Sequence, residues 1–307
     1  MSAKIVILGS INVDMVIQST KVPRMGETVM GSGFVTIAGG KGANQGVAVA
    51  RLLRGGETAA FIGAVGIDDF GAIMRGNLET NGLDVTHVKV ADGCATGTAV
   101  IIVYEGDNFI VIDSGANAEL TVDDVATAAE LIRGADILIA QLEVPLETVR
   151  AALALAKESG VTTLLNPAPA RALDPELLAL VDIITPNETE CQTLTGVDAT
   201  TIEGGKRGVQ ALLALGVKQA IVTMGGNGAA FNEGSEIVHT PSMKADAVVD
   251  TTAAGDSFTG ALAVALTEGK SIREAVRFAS AVGAITVATL GAQPSLPMRA
   301  AVEAKLK

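Results

Sequence analysis

From about Leu120 onward, strand-like and helix-like stretches alternate so regularly that a parallel α/β sheet is almost the only architecture open to the chain. Thr121 before Val122, Asp123 and Asp124 predicts a helix start, its acidic residues placed at the positive end of the helix dipole. The apolar run Ile137–Ala140 is too short for a helix and reads as a strand. A helix follows from about Leu146 to Ser159, stopped by Gly160. Val161–Leu165 reads as a strand, Pro175–Val181 as a short helix and Asp182–Thr185 as a strand. A helix around Lys206–Leu215 leads into the strand Ala220–Thr223. Such βαβ units predict a mostly parallel central sheet flanked by helices. The last third turns mainly helical: Ser271 and Glu274 form a capping box, and Ala275–Thr289 carries that helix on.

The N-terminal third breaks this rhythm. Ile5–Leu8 reads as a buried strand, and Ala43–Leu53 and Asp69–Leu78 as helices. Between them lie Met15–Ile17, Thr28–Ile37, Thr98–Tyr104 and Phe109–Asp113, the last two flanking a hairpin-like turn at Glu105-Gly106-Asp107-Asn108. These segments cannot all join one doubly wound sheet. They predict a small β-sheet lid, discontinuous in sequence at roughly 12–37 and 97–113, set into a single α/β domain spanning 1–307. An exposed sheet edge is a ready pairing surface, so a homodimer built through the lids is expected.

Composition limits the partners. The chain has 307 residues, 49% apolar and 18% charged, with a formal net charge of −12. That supplies a sizeable core and argues against long disordered tails. No Lys/Arg cluster occurs, which excludes nucleic acid as a partner but not a small anion held by local donors. Cys94 and Cys191 lie far apart and form no CxxC, so neither a disulfide framework nor a structural zinc is expected. His87 and His239 are equally isolated. Ile5–Leu8 is too short for a signal-peptide core, and no apolar run approaches the roughly 18 residues of a membrane span. A soluble, cytoplasmic protein with no membrane partner is expected.

Several fingerprints are absent. Gly269-Lys270-Ser271 has the end of a P-loop, but Val264 occupies its first-glycine position, and no GxGxxG, HExxH or GxSxG occurs. The strongest local signal is Asp250-Thr-Thr-Ala-Ala-Gly-Asp256-Ser-Phe-Thr-Gly260, running straight into Ala261–Leu266. Small residues ahead of a helix leave first-turn N–H groups uncovered at the positive end of its dipole, which suits an anion. Asp256 beside such a site would repel its ligand. It makes sense as a base taking a proton from a nucleophile that attacks the anion, although Asp also simply favours helix starts.

Gly39-Gly40-Lys41-Gly42-Ala43-Asn44 opens another helix, its glycines permitting close approach while Lys41 and Asn44 supply donors; an ordinary glycine-rich turn reads the same way. Gly9-Ser10-Ile11-Asn12-Val13-Asp14 follows the first strand, where ligands of open α/β sheets bind, and Asn12 and Asp14 alternate outward to face one polyol. Gln141-Leu142-Glu143, Asn187-Glu188-Thr189-Glu190 and Thr223–Gly228 likewise follow strands, so polar residues and glycines collect on one rim of the sheet.

These residues resemble the ribokinase-like (PfkB-type) carbohydrate kinases over nearly the whole chain. Gly39–Asn44, within Ala38–Gln45, looks like that family's N-terminal signature and Asp250–Gly260 like its C-terminal one; Asn166–Arg171, Thr185–Glu190 and Gly291–Ser295 are similar to it as well. The resemblance implies a ribokinase-like fold and ATP-dependent phosphorylation of D-ribose at the O5 hydroxyl. It implies that Asn12, Asp14, Gly40, Lys41, Asn44 and Glu143 contact the sugar and that Asp256 is the base. The N–H groups around Ala253, Ala254 and Gly255 would hold the transferring phosphoryl group. Asn187, Thr223, Gly225 and Gly228 would lie along ATP, with Ser280 near the adenine. Glu190 would act on Mg²⁺ through water. A monovalent cation, K⁺, would sit at Asp250, Thr252, Thr286, Thr289, Gly291 and Ser295, mostly on backbone carbonyls.

A helix terminus contributes only about 0.3–1 kcal/mol, up to ~2 when partly buried, so it cannot neutralise a triphosphate alone. Mg²⁺, Lys41 and the monovalent cation would share that load. Another acceptor, such as a nucleoside, deoxyribose or a hexose derivative, stays open. So does a sugar-binding protein without catalysis, which would have no need of Asp256 and an anion hole together. A nicotinamide-dependent oxidoreductase lacks its glycine fingerprint.

Overall fold

A computed structural model describes residues 4–105 and 107–307; Gly106, in the expected hairpin turn, lies outside the described residues. The N-terminal third contains β1 (Lys4–Leu8), β2 (Asn12–Ser19), β3 (Gly31–Gly39), α1 (Lys41–Leu52), β4 (Thr58–Gly66), α2 (Asp69–Thr80), β5 (Leu83–Ala91), β6 (Gly97–Tyr104) and β7 (Asp107–Asp113). A 3-10 turn at Gly115–Glu119 leads to α3 (Val122–Thr127), α4 (Ala129–Arg133), β8 (Ile137–Ala140), α5 (Leu146–Glu158), β9 (Thr162–Leu165), α6 (Pro175–Leu178) and β10 (Ile183–Ile184). Then come α7 (Glu188–Thr195), α8 (Ile202–Ala214), β11 (Gln219–Thr223), β12 (Ala229–Glu233) and β13 (Glu236–Thr240). The chain closes with α9 (Ala254–Thr267), α10 (Ile272–Thr286), α11 (Ala292–Ser295) and α12 (Arg299–Leu306).

Nine strands form the main sheet in the order β13-β12-β11-β10-β9-β8-β1-β4-β5. It is parallel except at one edge, where β12 and β13 run antiparallel. Side chains of a strand alternate between faces, and β1 obeys this closely. Ile5 and Ile7 enter one core with Val47, Leu262 and Val276, while Val6 and Leu8 enter the other with Val149 and Val209. Helices therefore cover both faces, as the alternating pattern requires. From β1 the chain first builds outward through β4 and β5, then returns to place β8 on the other side of β1. That reversal opens a crevice beyond the carboxyl ends of β1 and β8.

The smaller sheet has the order β3-β2-β6-β7, with β2 and β6 parallel and the outer pairs antiparallel. It is joined to the domain along one row, since Asn12 pairs with Gly39 on one side and Gly97 on the other.

Several boundaries differ from the sequence reading. β3 spans Gly31–Gly39 rather than 28–37, and β7 already starts at Asp107, which tightens the expected turn. The strand expected at Asp182–Thr185 contracts to Ile183–Ile184, although the Asp182 and Thr185 N–H groups still reach the Thr163 and Leu165 carbonyls beside it. The helix expected from Lys206 begins at Ile202, where the Thr201 hydroxyl accepts the Gly204 N–H. α10 ends at Thr286, short of Thr289. Strands β4, β5, β12 and β13 have no counterpart in the sequence reading. β4 is small-residue-rich and buried on both faces, so it shows no alternation.

Candidate active site

Glycines set the end of β1 against the start of α1. A Cβ on Gly42 would stand 2.6 Å from the Ser10 nitrogen and 2.7 Å from the Gly9 backbone, so no larger residue lets the two approach. The Ala43 N–H then reaches the Ser10 carbonyl at 2.9 Å. Gly40 has φ of +88°, and a Cβ there would lie 2.7 Å from the Asn12 nitrogen. This junction carries α1 into the crevice with its first turn facing the rim.

That turn positions two carboxylates. Glu143, just past β8, accepts from the Ser10 hydroxyl at 2.6 Å and from the Lys41 N–H at 3.0 Å. Asp256, in the first turn of α9, accepts from Asn44 Nδ2 at 2.9 Å on one oxygen and from Gln45 Nε2 at 3.1 Å on the other. Lys41 and Asn44 are three residues apart on a helix, roughly 5 Å along its axis. The first turn of α1 thus holds one carboxylate at its backbone and another at a side chain. With Nδ2 committed to Asp256, Asn44 keeps Oδ1 buried and without a partner, an acceptor ready for a hydroxyl.

Asn12 and Asp14 come from β2 rather than from a loop, two residues apart and thus on one face of the smaller sheet. Asn117 fixes this strand's start: its Nδ2 donates to Asn12 Oδ1 at 2.7 Å and its Oδ1 accepts the Ile11 N–H at 2.8 Å. Burial, then Glu143 and Asp256, push the Asp14 carboxyl up to about 7, with Lys41 opposing. Burial disfavours the Lys41 ammonium, yet Asp256, Glu143, Glu190 and Asp14 together outweigh it and hold the group charged beyond the ordinary lysine range. The Lys41 ammonium thus sits within the field of four carboxylates.

Lys41, Asn187, Glu190, Thr223, Gly255 and Asp256 line a cavity of about 180 Å³. Its floor is the N-terminus of α9, where Ala253 has φ of +60° and no side chain caps the helix. The Ala254 N–H bonds the Thr251 carbonyl and the Ser257 N–H bonds that of Ala253. Among the described residues none accepts from the N–H groups of Gly255 and Asp256. A Cβ built on Gly255 meets nothing within 4 Å, so the space before these donors is open. Opposite stands the start of α7, a capping box in which Asn187 Oδ1 accepts the Glu190 N–H and Glu190 Oε2 accepts the Asn187 N–H. Burial raises the Glu190 carboxyl above its usual range, against the Asn187 N–H and Lys41.

The predicted sugar residues straddle two spaces. Lys41 and Asp256 line the inner cavity, whereas Asn12 and Glu143 line an outer one of about 400 Å³ that reaches Ile112 on the smaller sheet. Asp250 Oδ1 accepts from the Thr252 N–H and hydroxyl, and its Oδ2 accepts the Gly291 N–H at 2.8 Å, so Asp250, Thr252 and Gly291 do converge. Thr289 follows α10, with its N–H on the Thr286 carbonyl; Thr286 and Ser295 turn their hydroxyls inward, onto Val282 and Ala292 carbonyls. Gly225 and Gly228 bound a 3-10 turn after β11, and Ser280 bonds back to Val276 within α10; none of these three lines either cavity.

Sequence reasoning missed Gln45, Asn117, Thr185 and Thr259 and gave Asn166 no role. Gln45 Nε2 also reaches Asn166 Oδ1, Asn166 Nδ2 reaches the Thr185 carbonyl, and the Thr185 and Thr259 hydroxyls meet at 3.1 Å. The available signal was positional: Asn166 and Thr185 end β9 and β10 just as Gln141 ends β8.

Residues 2–299 match the model of the pfkB family carbohydrate kinase. The chain is 41% identical to the ribokinase of Haemophilus influenzae over 97% of both chains, and 40% identical to that of Bacillus subtilis over 97% of this chain and 98% of that one. Its fold superposes with a TM-score of 0.92 on Arabidopsis thaliana ribokinase complexed with ribose and ATP, at 36% identity, covering 100% of this chain and 99% of that one. Cryptococcus neoformans ribokinase in complex with ADP gives 0.84, at 30% identity over 99% and 100%. With the match running over nearly all of its length, the chain belongs to the pfkB family of carbohydrate kinases and stands among the ribokinases within it.

Proposed function

We propose that the chain transfers the γ-phosphoryl group of ATP to the O5 hydroxyl of D-ribose, giving ribose 5-phosphate and ADP. One observation carries the reading: a buried carboxylate and uncovered N–H donors occupy consecutive residues, Gly255 and Asp256, at the start of one helix. A proton acceptor and an anion hole held that close serve an attack by a hydroxyl on a phosphoryl group. In the step, O5 forms its bond to phosphorus, its proton passes to Asp256, and the bond from phosphorus to the ADP oxygen breaks. Asn12, Asp14, Gly40, Lys41, Asn44 and Glu143 hold the sugar; Asn187, Thr223, Gly225, Gly228, Ala254, Gly255 and Ser280 are assigned to ATP. The ribokinase relatives, one of them complexed with ribose and ATP, support this acceptor and donor.

Glu190 lines the cavity with its carboxylate and fits water on Mg²⁺, which when bound would neutralise phosphate charge. K⁺ is assigned to Asp250, Thr252, Thr286, Thr289, Gly291 and Ser295, of which Asp250, Thr252 and Gly291 are joined by hydrogen bonds. Oxygen donors suit such a cation, whose charge would offset that of the anion held at the N–H groups of Gly255 and Asp256.

The smaller sheet acts as the lid over the sugar. It bares Phe34, Val100, Phe109 and Val111, each more than two-fifths exposed, and this apolar surface suits a second copy of the chain. Cys94 and Cys191 are free thiols, and no described helix is long and apolar enough to cross a membrane.

The test is ADP release from Mg-ATP with D-ribose, with and without K⁺, against deoxyribose, fructose and adenosine. Ribose-dependent release enhanced by K⁺ is expected. Turnover only with another acceptor would discard ribose and keep the kinase.

A further inference from the structure

We propose that Gln45 is the positioning residue of the reaction, the group that holds the Asp256 carboxylate oriented as an acceptor. The inference rests on the reading of Asp256 as the base and adds a residue that does not touch either substrate.

Gln45 is wholly buried, with both ends of its amide engaged. Nε2 donates to Asp256 Oδ1 and to Asn166 Oδ1, each at 3.1 Å, and Oε1 accepts from Gln141 Nε2 at 2.7 Å. The direction of this chain is forced. Asn166 spends its Nδ2 on the Thr185 carbonyl at 3.0 Å, so it can offer Gln45 only an oxygen. A flipped Gln45 amide would set its oxygen against both Asp256 and Asn166 and its nitrogen against Gln141. The arrangement that pairs Gln45 with both Asp256 and Asn166 therefore aims a donor at the carboxylate.

The consequence for Asp256 is specific. Among the described residues no Lys or Arg bonds it directly; its two oxygens are held by two amide donors, one each, from adjacent residues of α1. Hydrogen bonds to a charged acceptor are roughly twice as strong as neutral ones. The two donors also fix the plane of the carboxylate, leaving its remaining lone pairs for the incoming hydroxyl. Asn44 has room for a second task, since its Oδ1 is buried and has no partner among the described residues. Gln45 has none, being spent on strand-end partners. The carboxylate is thereby tied to the ends of β8 and β9 rather than to the substrate.

Gln45→Leu removes the donor at similar volume. The expected result is kcat lowered about 10- to 100-fold, the loss typical of a hydrogen bond to a charged group, with the sugar KM changed less than about threefold. Because Gln45 acts through Asp256, adding Gln45→Leu to Asp256→Asn should cost little further activity. Gln45→Glu, isosteric but presenting an oxygen where the donor was, should lose at least as much and supplies the same readout should the Leu variant fail to fold. Wild-type kcat in either variant, a loss carried by KM, or additive losses in the double variant would overturn the proposal. Near wild-type turnover of Asp256→Asn alone would instead remove the base assignment, and this proposal with it.

Discussion

Acceptor affinity should change across neutral pH because Asp14 ionises there. Burial opposes its charge first, Glu143 and Asp256 add to that, and Lys41 offsets only part, which brings the carboxyl to about 7. The Asp14 carboxyl group accepts from sugar hydroxyls roughly twice as strongly when ionised, and when protonated it loses acceptor capacity to its own O–H. With ionisation near 7, about one-tenth of the molecules carry the charge at pH 6 and about nine-tenths at pH 8. The sugar KM should therefore be up to about tenfold higher at pH 6 than at pH 8. Asp14→Asn should hold KM near its pH 6 value throughout. Stability of the sugar-free protein moves the other way. The unfolded aspartate ionises near 3.8, so between that pH and about 7 the unfolded chain binds fewer protons than the folded one. The stability contribution is complete below 3.8 and is lost as pH rises through the folded value, about 1 kcal/mol of it between pH 6 and 8. Initial rates at saturating Mg-ATP and urea melts without sugar give the two quantities. A KM that stays flat, or rises toward pH 8, would refute the reasoning.

Asp256→Asn should lower kcat by about 10²–10⁴ while the sugar still binds, as read by initial rates and calorimetry. Gly42→Ala should cost about 1–3 kcal/mol, because the methyl group meets the backbone of Gly9 and Ser10 rather than a movable side chain. Its melting temperature should fall by several degrees, and an unchanged value would contradict the close approach of β1 and α1. Phe109→Glu with Val111→Glu should convert a dimer to monomer in light scattering; a wild-type monomer at micromolar concentration ends the dimer reading. Replacing K⁺ by tetramethylammonium should depress turnover, and equal rates in both salts would count against the Asp250 assignment.

The fold was legible where the local pattern and the final burial agree. Ile137–Ala140 reads as a strand and is one, buried on both faces, and Ser271 with Glu274 caps α10 as their spacing requires. β4 was hidden because Thr58–Gly66 mixes small residues with Phe61 and Ile62 and is covered on both sides, so no period appears. The site shows the same division. Asp256 and Lys41 stood out because charge among small residues and glycines demands a reason, and Glu190 because polar residues gather where a strand ends. Gln45 and Asn117 were not, since an amide's importance lies in which partners surround it, and those partners lie 121 and 106 positions away in sequence.

Along the chain, the smaller sheet is two insertions: β2 and β3 between β1 and α1, and β6 and β7 between β5 and the 3-10 turn at Gly115–Glu119. Their points of departure, Asn12, Gly39 and Gly97, lie side by side, and no strand of the main sheet pairs with them. Severed along that row, the nine-stranded body would keep its order, its helices and the start of α9. Asp256, Asn187 and Glu190 belong to this body, whereas Asn12 and Asp14 ride on the first insertion. Part of the proposed sugar contact is thus carried on a physically detachable piece, while Lys41, Asn44 and Glu143 stay with the body. Revising two short hairpins would change the cover of the site without touching the start of α9, and foreign ones could be grafted at a single seam.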